Sequence, residues 1–180
     1  RFLQQGMKQL VEQLRTDPHA LESVHLSVIV FAGKARTLTP LIELAAFYPP
    51  RLPVGSGTSL GAALEHLMRE LDQAVNRTTA ERKGDFRPVV YLMTDGKPTD
   101  AVDAAIERWQ RDYAQRVSLV GIGIGQYAAL DTLRRLSPDV LHLQAQTEAD
   151  FKRFIAWVTQ SVAVQSRGVT AAGGGVSLAK

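Results

Sequence analysis

Two short stretches hold the residue types best suited to chemistry. In PVVYLMTDGKPTD (88–100) an apolar run leads into Thr94 and Asp95, and Gly96, Lys97 and Pro98 then bend the chain. In GSGTSLG (55–61) Gly57, Thr58 and Ser59 stand just ahead of a helical pattern. A carboxylate at a strand tip and a hydroxyl before a helix are hard oxygen donors. Mg²⁺ takes about six oxygens at near-octahedral geometry and usually keeps several as water, so a few protein oxygens and an open position suit it. The same residues also serve without a ligand, Asp by opening turns and Thr by capping helices. Taken by spacing alone, they favour that plainer role. Asp100 and Asp103 could add charge to such a site, but they better suit the positive end of the helix that follows them. Lys97 is a turn lysine able to tune the rim.

Other patterns are weaker. Gly121-Ile-Gly-Ile-Gly125 lacks the third glycine of a dinucleotide fingerprint, and no acidic residue is clearly placed at the end of a following strand. Small residues that let a strand leave a crowded edge explain it better, although a nucleotide-dependent enzyme stays open as a third reading. GSGTSLG has no Lys ahead of its hydroxyl and so is not a phosphate loop. His19, His25, His66 and His142 are dispersed, without metal-site spacing. No Ser sits in G-x-S-x-G, which removes the hydrolase elbow.

The elements that must position Thr58 and Asp95 follow from periodicity. Phe2, Leu3, Met7, Leu10, Val11 and Leu14 recur at helical spacing up to Thr16-Asp17-Pro18. VHLSVIVF (24–31) is β-branched and apolar on both faces, which predicts a central strand covered on both sides. ARTLTPLIEL (35–44) carries Pro40 and predicts an edge strand. Leu60, Leu64, Leu67, Met68, Leu71 and Val75 trace a helix that Ser and Thr just before it could cap. NRTTAERKGDFR (76–87) reads as a surface loop, and RPVVYLMT (87–94) as a buried strand. Val102, Ala105, Ile106, Trp109 and Tyr113 mark a helix, RVSLVGIGI (116–124) a strand, 128–136 a short helix and VLHLQ (140–144) a strand. Phe151, Phe154, Ile155, Val158 and Val162 mark the last helix, opened by Thr147-Glu-Ala-Asp150, a capping box with Asp at its fourth position. Strands separated by helices of this length imply βαβ crossovers, hence an α/β, Rossmann-like and mostly parallel sheet with helices on both faces. In such sheets ligands bind beyond the carboxyl ends of the strands.

Composition narrows the class. The chain has 180 residues, 45% of them hydrophobic, and a net charge of +3 with scattered basic residues. That size suits one domain, assigned to 1–165, with 166–180 a glycine-rich, mobile tail. Neither a nucleic-acid stripe nor a polybasic membrane patch is present. Without cysteine there is no thiol chemistry and no thiolate site. No apolar run approaches a membrane span or a signal peptide, so an intracellular, cytoplasmic domain is expected.

GSGTSLGAALEHL (55–67) and PVVYLMTDGKPTD together resemble the von Willebrand factor A domain. The likeness extends through RTDPHALESVHLSVIVFAGKARTLTPL (15–41), AERKGDFRP (80–88) and GIGIG, and it is nearest to bacterial tellurite-resistance-associated members. The resemblance implies a metal-ion-dependent adhesion site (MIDAS) in which Thr58 and Asp95 ligate the ion directly or through water. It further implies Mg²⁺, or else Mn²⁺ or Ca²⁺, and no catalysis. The partner would be a protein that supplies an acidic side chain, in tellurite or stress-response systems that include kinases and phosphatases. The departure is that the family's D-x-S-x-S motif is absent from these residues. By resemblance that motif ends a first central strand between VHLSVIVF and PVVYLMT. Its loss would unpair two rows of ladder groups at a cost of kcal/mol order each. A segment ahead of Arg1 is therefore expected, and without it the site is incomplete. A scaffold that binds partners without metal is the alternative.

Overall fold

The computed structural model describes residues 2–77, 79, 84–144 and 147–168. In chain order the elements are α1 (Phe2–Leu14), α2 (Pro18–Ser23), β1 (His25–Phe31), β2 (Ala35–Glu43), α3 (Leu60–Ala74), β3 (Val89–Thr94), α4 (Asp103–Asp112), β4 (Ser118–Ile124), α5 (Leu130–Leu136), β5 (Val140–Leu143) and α6 (Glu148–Gly168). This is the expected α/β alternation. β3, β4 and β5 form a parallel sheet in that order, while β1 and β2 form a separate pair. Contacts divide the chain into two compact units. One comprises Arg1–Val28, Leu38–Leu52 and Thr147–Lys180, the other Ile29–Thr37 and Pro53–Gln146.

In the first unit Val11, Leu14, Ala20, Leu44 and Phe47 form the core. α1 meets α6 at Gly6, where an added Cβ would stand 2.6 Å from Ile155 Cγ1. α2 was not anticipated from periodicity, being too short to show any. Its signal is local: Asp17 accepts from the His19 amide at 3.0 Å and Pro18 occupies the start of the helix. Arg167 donates to the same Asp17 carboxylate at 2.7 and 3.1 Å. α6 thus continues to Gly168, past residue 166 where the tail was expected to begin; 169–180 lie outside the described residues. The capping box joins Thr147 and Asp150: Thr147 Oγ1 accepts from the Asp150 amide at 3.2 Å, and the Asp150 carboxylate takes the Thr147 hydroxyl at 2.6 Å.

The β1–β2 pair differs from expectation in burial. No β1 residue is fully buried, whereas its apolar run predicted cover on both sides. Among the described residues β1 is hydrogen-bonded only to β2, so one side of its ladder has no strand beside it. Pro40 lies exposed in β2, which likewise has one neighbour, the placement required by a residue without an N–H.

In the second unit β4 is the central strand, buried from Leu119 to Gly123. Its glycines have a packing role. A Cβ on Gly123 would stand 2.4 Å from Leu130 Cδ2 and 2.9 Å from Ala128 Cβ, and one on Gly121 3.1 Å from Leu133 Cβ. Gly121 and Gly123 therefore make room for α5 within the strand, whereas the pattern predicted small residues at a crowded strand exit. Leu60, Leu64, Met68, Leu92, Ile106, Trp109, Leu119 and Leu133 belong to the core, and Trp109 stacks on Tyr113 with centroids 5.7 Å apart. Tyr113 donates to Asp72 at 2.6 Å, and Arg77 and Arg116 reach the same carboxylate at 2.8 and 2.9 Å.

The Tyr113 hydrogen bond above all, joined by those of Arg77 and Arg116, holds the Asp72 carboxyl down to about 2, although burial, second in size, pushes it up. A depressed carboxyl contributes stability above its unfolded value of 3.8 and loses it as pH falls through 2. Asp72→Asn is expected to lower stability at neutral pH by about 1 kcal/mol, the partly exposed ion pairs adding little. In urea titrations the gap from wild type should close between pH 4 and 2; a gap independent of pH would contradict the assignment. Gly123→Ala is expected to cost about 1–3 kcal/mol through overpacking. Gly33→Ala, whose nearest neighbour would be 3.7 Å away, should stay within about 0.5 kcal/mol in the same assay.

Candidate functional site

At one edge of the second unit four loops meet, all leaving strand ends or entering α3. They are the hairpin tip 32–34 after β1, the run 53–59 before α3, the turn 95–102 after β3 and the run 125–129 after β4. The Ser59 amide donates to Ala32 O at 2.8 Å, and a Cβ on Gly55 would lie 2.6 Å from Ala32 Cβ. Gly57 turns the chain at φ +84°, a conformation that side chains other than glycine's rarely adopt. Thr58 and Thr99 then lock together: the Thr58 amide donates to Thr99 Oγ1 at 3.0 Å and the Thr99 amide to Thr58 O at 2.9 Å. The fourth loop joins through the Ala129 amide, which donates to Gly96 O at 3.4 Å.

The two residues singled out for a metal come from loops that touch. Thr58 Oγ1 stands 3.0 Å from where a Cβ on Gly96 would be, so its hydroxyl faces the residue next to Asp95. Asp95 is exposed and Thr58 half-buried. Among the described residues neither the Thr58 hydroxyl nor the Asp95 carboxylate has a hydrogen bond or ion pair. Thr94 is buried, and its hydroxyl lies 3.3 Å from Gly96 O, closing the turn beneath Asp95. A free hydroxyl and a free carboxylate suit a hard dication in kind, though they supply two of about six ligands. No group of three His, Cys, Asp or Glu that could hold an ion exists among the described residues.

Asp100 departs from its expected role. It does not serve α4, the helix that follows it, but the start of α3: Oδ1 accepts from the Gly61 amide at 3.1 Å and Oδ2 from the Ala62 amide at 2.9 Å. Ser59, which the pattern placed as cap, makes no side-chain capping bond. The first amides of a helix lack internal partners, and a carboxylate from the neighbouring loop supplies them with favourable charge as well. Gly61 permits the approach, since a Cβ there would stand 2.3 Å from Ala101 O. Asp103 does open α4, paired to Arg135 at 2.7 Å. Thr99 and Asp100 are thus the residues that sequence reasoning missed as organisers of the edge. Their only signal is position, in the turn that carries Asp95. Two of the histidines make tertiary hydrogen bonds, His66 to Thr37 Oγ1 at 2.8 Å and His142 to Gly125 O at 2.9 Å.

A family model described as von Willebrand factor type A domain matches residues 3–156. Among solved structures, proximal thread matrix protein 1 from the mussel byssus is similar at 20% identity and a TM-score of 0.62, covering 89% of this chain and 42% of that one. A form of the same mussel protein described as having a zinc-occupied MIDAS motif aligns at 20% identity and a TM-score of 0.58, over 89% and 43% of the two chains. A von Willebrand factor type A protein from Catenulispora acidiphila follows at 17% identity and a TM-score of 0.59, over 87% and 38%. The chain spans about two fifths of the length of these structures. At such identities the likeness is one of fold. No curated protein matches.

Asp100→Ala is expected to remove the borrowed cap and lower stability by about 1–2 kcal/mol. Asp100→Asn, which keeps an acceptor oxygen, should recover part of that loss. Denaturant unfolding of the three proteins checks it; equal midpoints would show that the carboxylate does not carry the cap.

Proposed function

The chain belongs to the von Willebrand factor type A family, and from that premise we propose that the edge around Thr58 and Asp95 is a metal-dependent protein-interaction site, not the active site of an enzyme. The observation that carries this reading is the pair of oxygen donors, brought from separate loops to one turn and without a protein partner among the described residues. The mussel protein with its zinc-occupied MIDAS supports a metal in this fold. Mg²⁺, Mn²⁺ or Ca²⁺ suits a hydroxyl and a carboxylate equally well by donor chemistry. Thr58 and Asp95 would hold the ion directly or through water. The remaining ligands in this reading come from water, from a D-x-S-x-S segment beside β3, and from an acidic side chain of the partner. The edge of β3 away from β4, which no described strand covers, is where such a segment would pair. The ion would polarise and anchor the partner's carboxylate, while Thr99 and Asp100 hold the two loops in register.

The biological setting proposed is a cytoplasmic tellurite or general stress-response system with kinases and phosphatases, on the family resemblance of 55–67 and 88–100. A second reading, a scaffold that binds partners without metal, is favoured by the donor count: the described residues offer no third acidic or imidazole ligand.

Mn²⁺ titration followed by calorimetry or electron paramagnetic resonance separates the two. Saturable binding by the wild type, weakened about tenfold or more by Asp95→Ala and less by Thr58→Ala, is the expected result, a tenfold loss being about 1.4 kcal/mol. Identical titrations of wild type and Asp95→Ala would leave the metal-free scaffold standing.

A further inference from the structure

Cations in the second unit are mostly neutralised by neighbours. Arg77 and Arg116 pair with Asp72, Arg108 with Glu65, Arg111 with Asp112, Arg134 with Asp131 and Arg135 with Asp103. Arg87 donates to the carbonyls of Ala114 and Val117, and Arg69 lies 3.4 Å from His66 Nδ1. Among the described residues of this unit the cations without any such partner are Lys34, Arg36 and Lys97. All three are exposed. Lys34 at the hairpin tip and Lys97 in the turn that carries Asp95 lie on two of the loops that meet at this edge, whereas Arg36 lies in β2. The tip adjoins the loop before α3, since a Cβ on Gly33 would stand 3.7 Å from Ser56 O. Two apolar side chains share the same loops, Val54 at 102% exposure and Tyr127 at 70%.

We propose that this edge receives a protein segment in which several carboxylates flank an apolar side chain. One carboxylate reaches the position beside Thr58 and Asp95, others pair with Lys34 and Lys97, and the apolar group lies against Val54 or Tyr127. This rests on the reading of the edge as a binding face, and it adds the class of sequence the face selects. The commitment to a protein follows from two features. Unpaired cations on two of the loops that meet around Asp95 complement a chain of separate acidic groups, and exposed valine and tyrosine offer an apolar side chain a surface that a phosphate backbone would not use. Rim charges of this kind act mainly on encounter rate and selectivity and respond to salt.

The test uses a short fluorescent peptide of glutamates around one leucine, a lysine counterpart, a serine-for-leucine counterpart and a single-stranded oligonucleotide. Anisotropy is read with Mn²⁺ and with chelator. The acidic leucine peptide is expected to bind best. Lys34→Ala combined with Lys97→Ala should weaken it about fivefold at low salt and flatten its salt dependence. Val54→Ser and Tyr127→Ser should weaken the leucine peptide and leave the serine one unchanged. Affinity indifferent to the lysine substitutions, or tighter binding of the lysine peptide or the oligonucleotide, overturns the proposal. Its failure is distinct from that of the metal reading: Mn²⁺ bound by the protein alone, without selection for acidic peptide, sinks only the segment proposal. Lysine-dependent peptide binding that ignores Mn²⁺ sinks only the metal.

Discussion

The first amides of α3 have no partner within their own helix, and the candidate site is organised around how they are satisfied. Ser59 leaves them open, and the Asp100 carboxylate answers Gly61 and Ala62 from another loop. Because Asp100 sits five residues after Asp95, satisfying α3 also fixes the turn that ends β3. Thr99 adds a reciprocal pair of bonds with Thr58, its hydroxyl accepting from the Thr58 amide and its own amide donating to the Thr58 carbonyl. A requirement of helix termination therefore sets the spacing between two loops distant in sequence. Glycine at 61 is part of the same device, since any side chain there would meet the Ala101 carbonyl. Substitution of the bracket acts on loop geometry, whereas substitution of Thr58 or Asp95 acts on the donors themselves.

Close approach recurs as the rule of the second unit. β4 carries Gly121 and Gly123 where α5 comes down on the sheet, and the neighbouring strands keep their larger residues. The cost is conformational entropy in a strand interior. The gain is that α5 packs close enough for the loop between β4 and α5 to reach Gly96 through the Ala129 amide. Packing on the sheet and construction of its rim are thus one problem, solved with small residues at both places.

Sequence pattern revealed what depends on periodicity. The helices with full apolar faces, the strands ending at Thr94 and Ile124, and the edge character imposed by Pro40 all follow from local rules. The convergence of the loops bearing Thr58 and Asp95 was reachable from sheet logic and family likeness together. α2 was not, because six residues carry no period and only the Asp-Pro start announces it. Asp100 was assigned to the wrong helix for a related reason. A carboxylate just ahead of a helix is ordinarily its own cap, and only tertiary structure shows that another helix lies nearer. The partial exposure of β1 does not follow from its apolar run, which states what a strand can bury; only the family likeness, which places another strand beside VHLSVIVF, anticipated an unpaired side.

The free groups of the rim acquire meaning from their surroundings. Among the described residues elsewhere in the second unit most cations find carboxylates, carbonyls or an imidazole, while on these loops Asp95, Lys34 and Lys97 stand unpaired. In water such groups are well solvated, so leaving them unpaired costs little stability. It does shape binding. On the proposed reading, a dication arriving beside Asp95 would enter loops that already carry Lys34 and Lys97, so repulsion would oppose its binding to the free protein. An acidic segment would remove that repulsion and add a ligand. Each then raises the affinity for the other by the same factor, as linkage requires of any two ligands that share a site. On this arrangement weak metal binding in isolation and stronger binding in the complex are two faces of one electrostatic balance, set by where the protein leaves its charges unanswered.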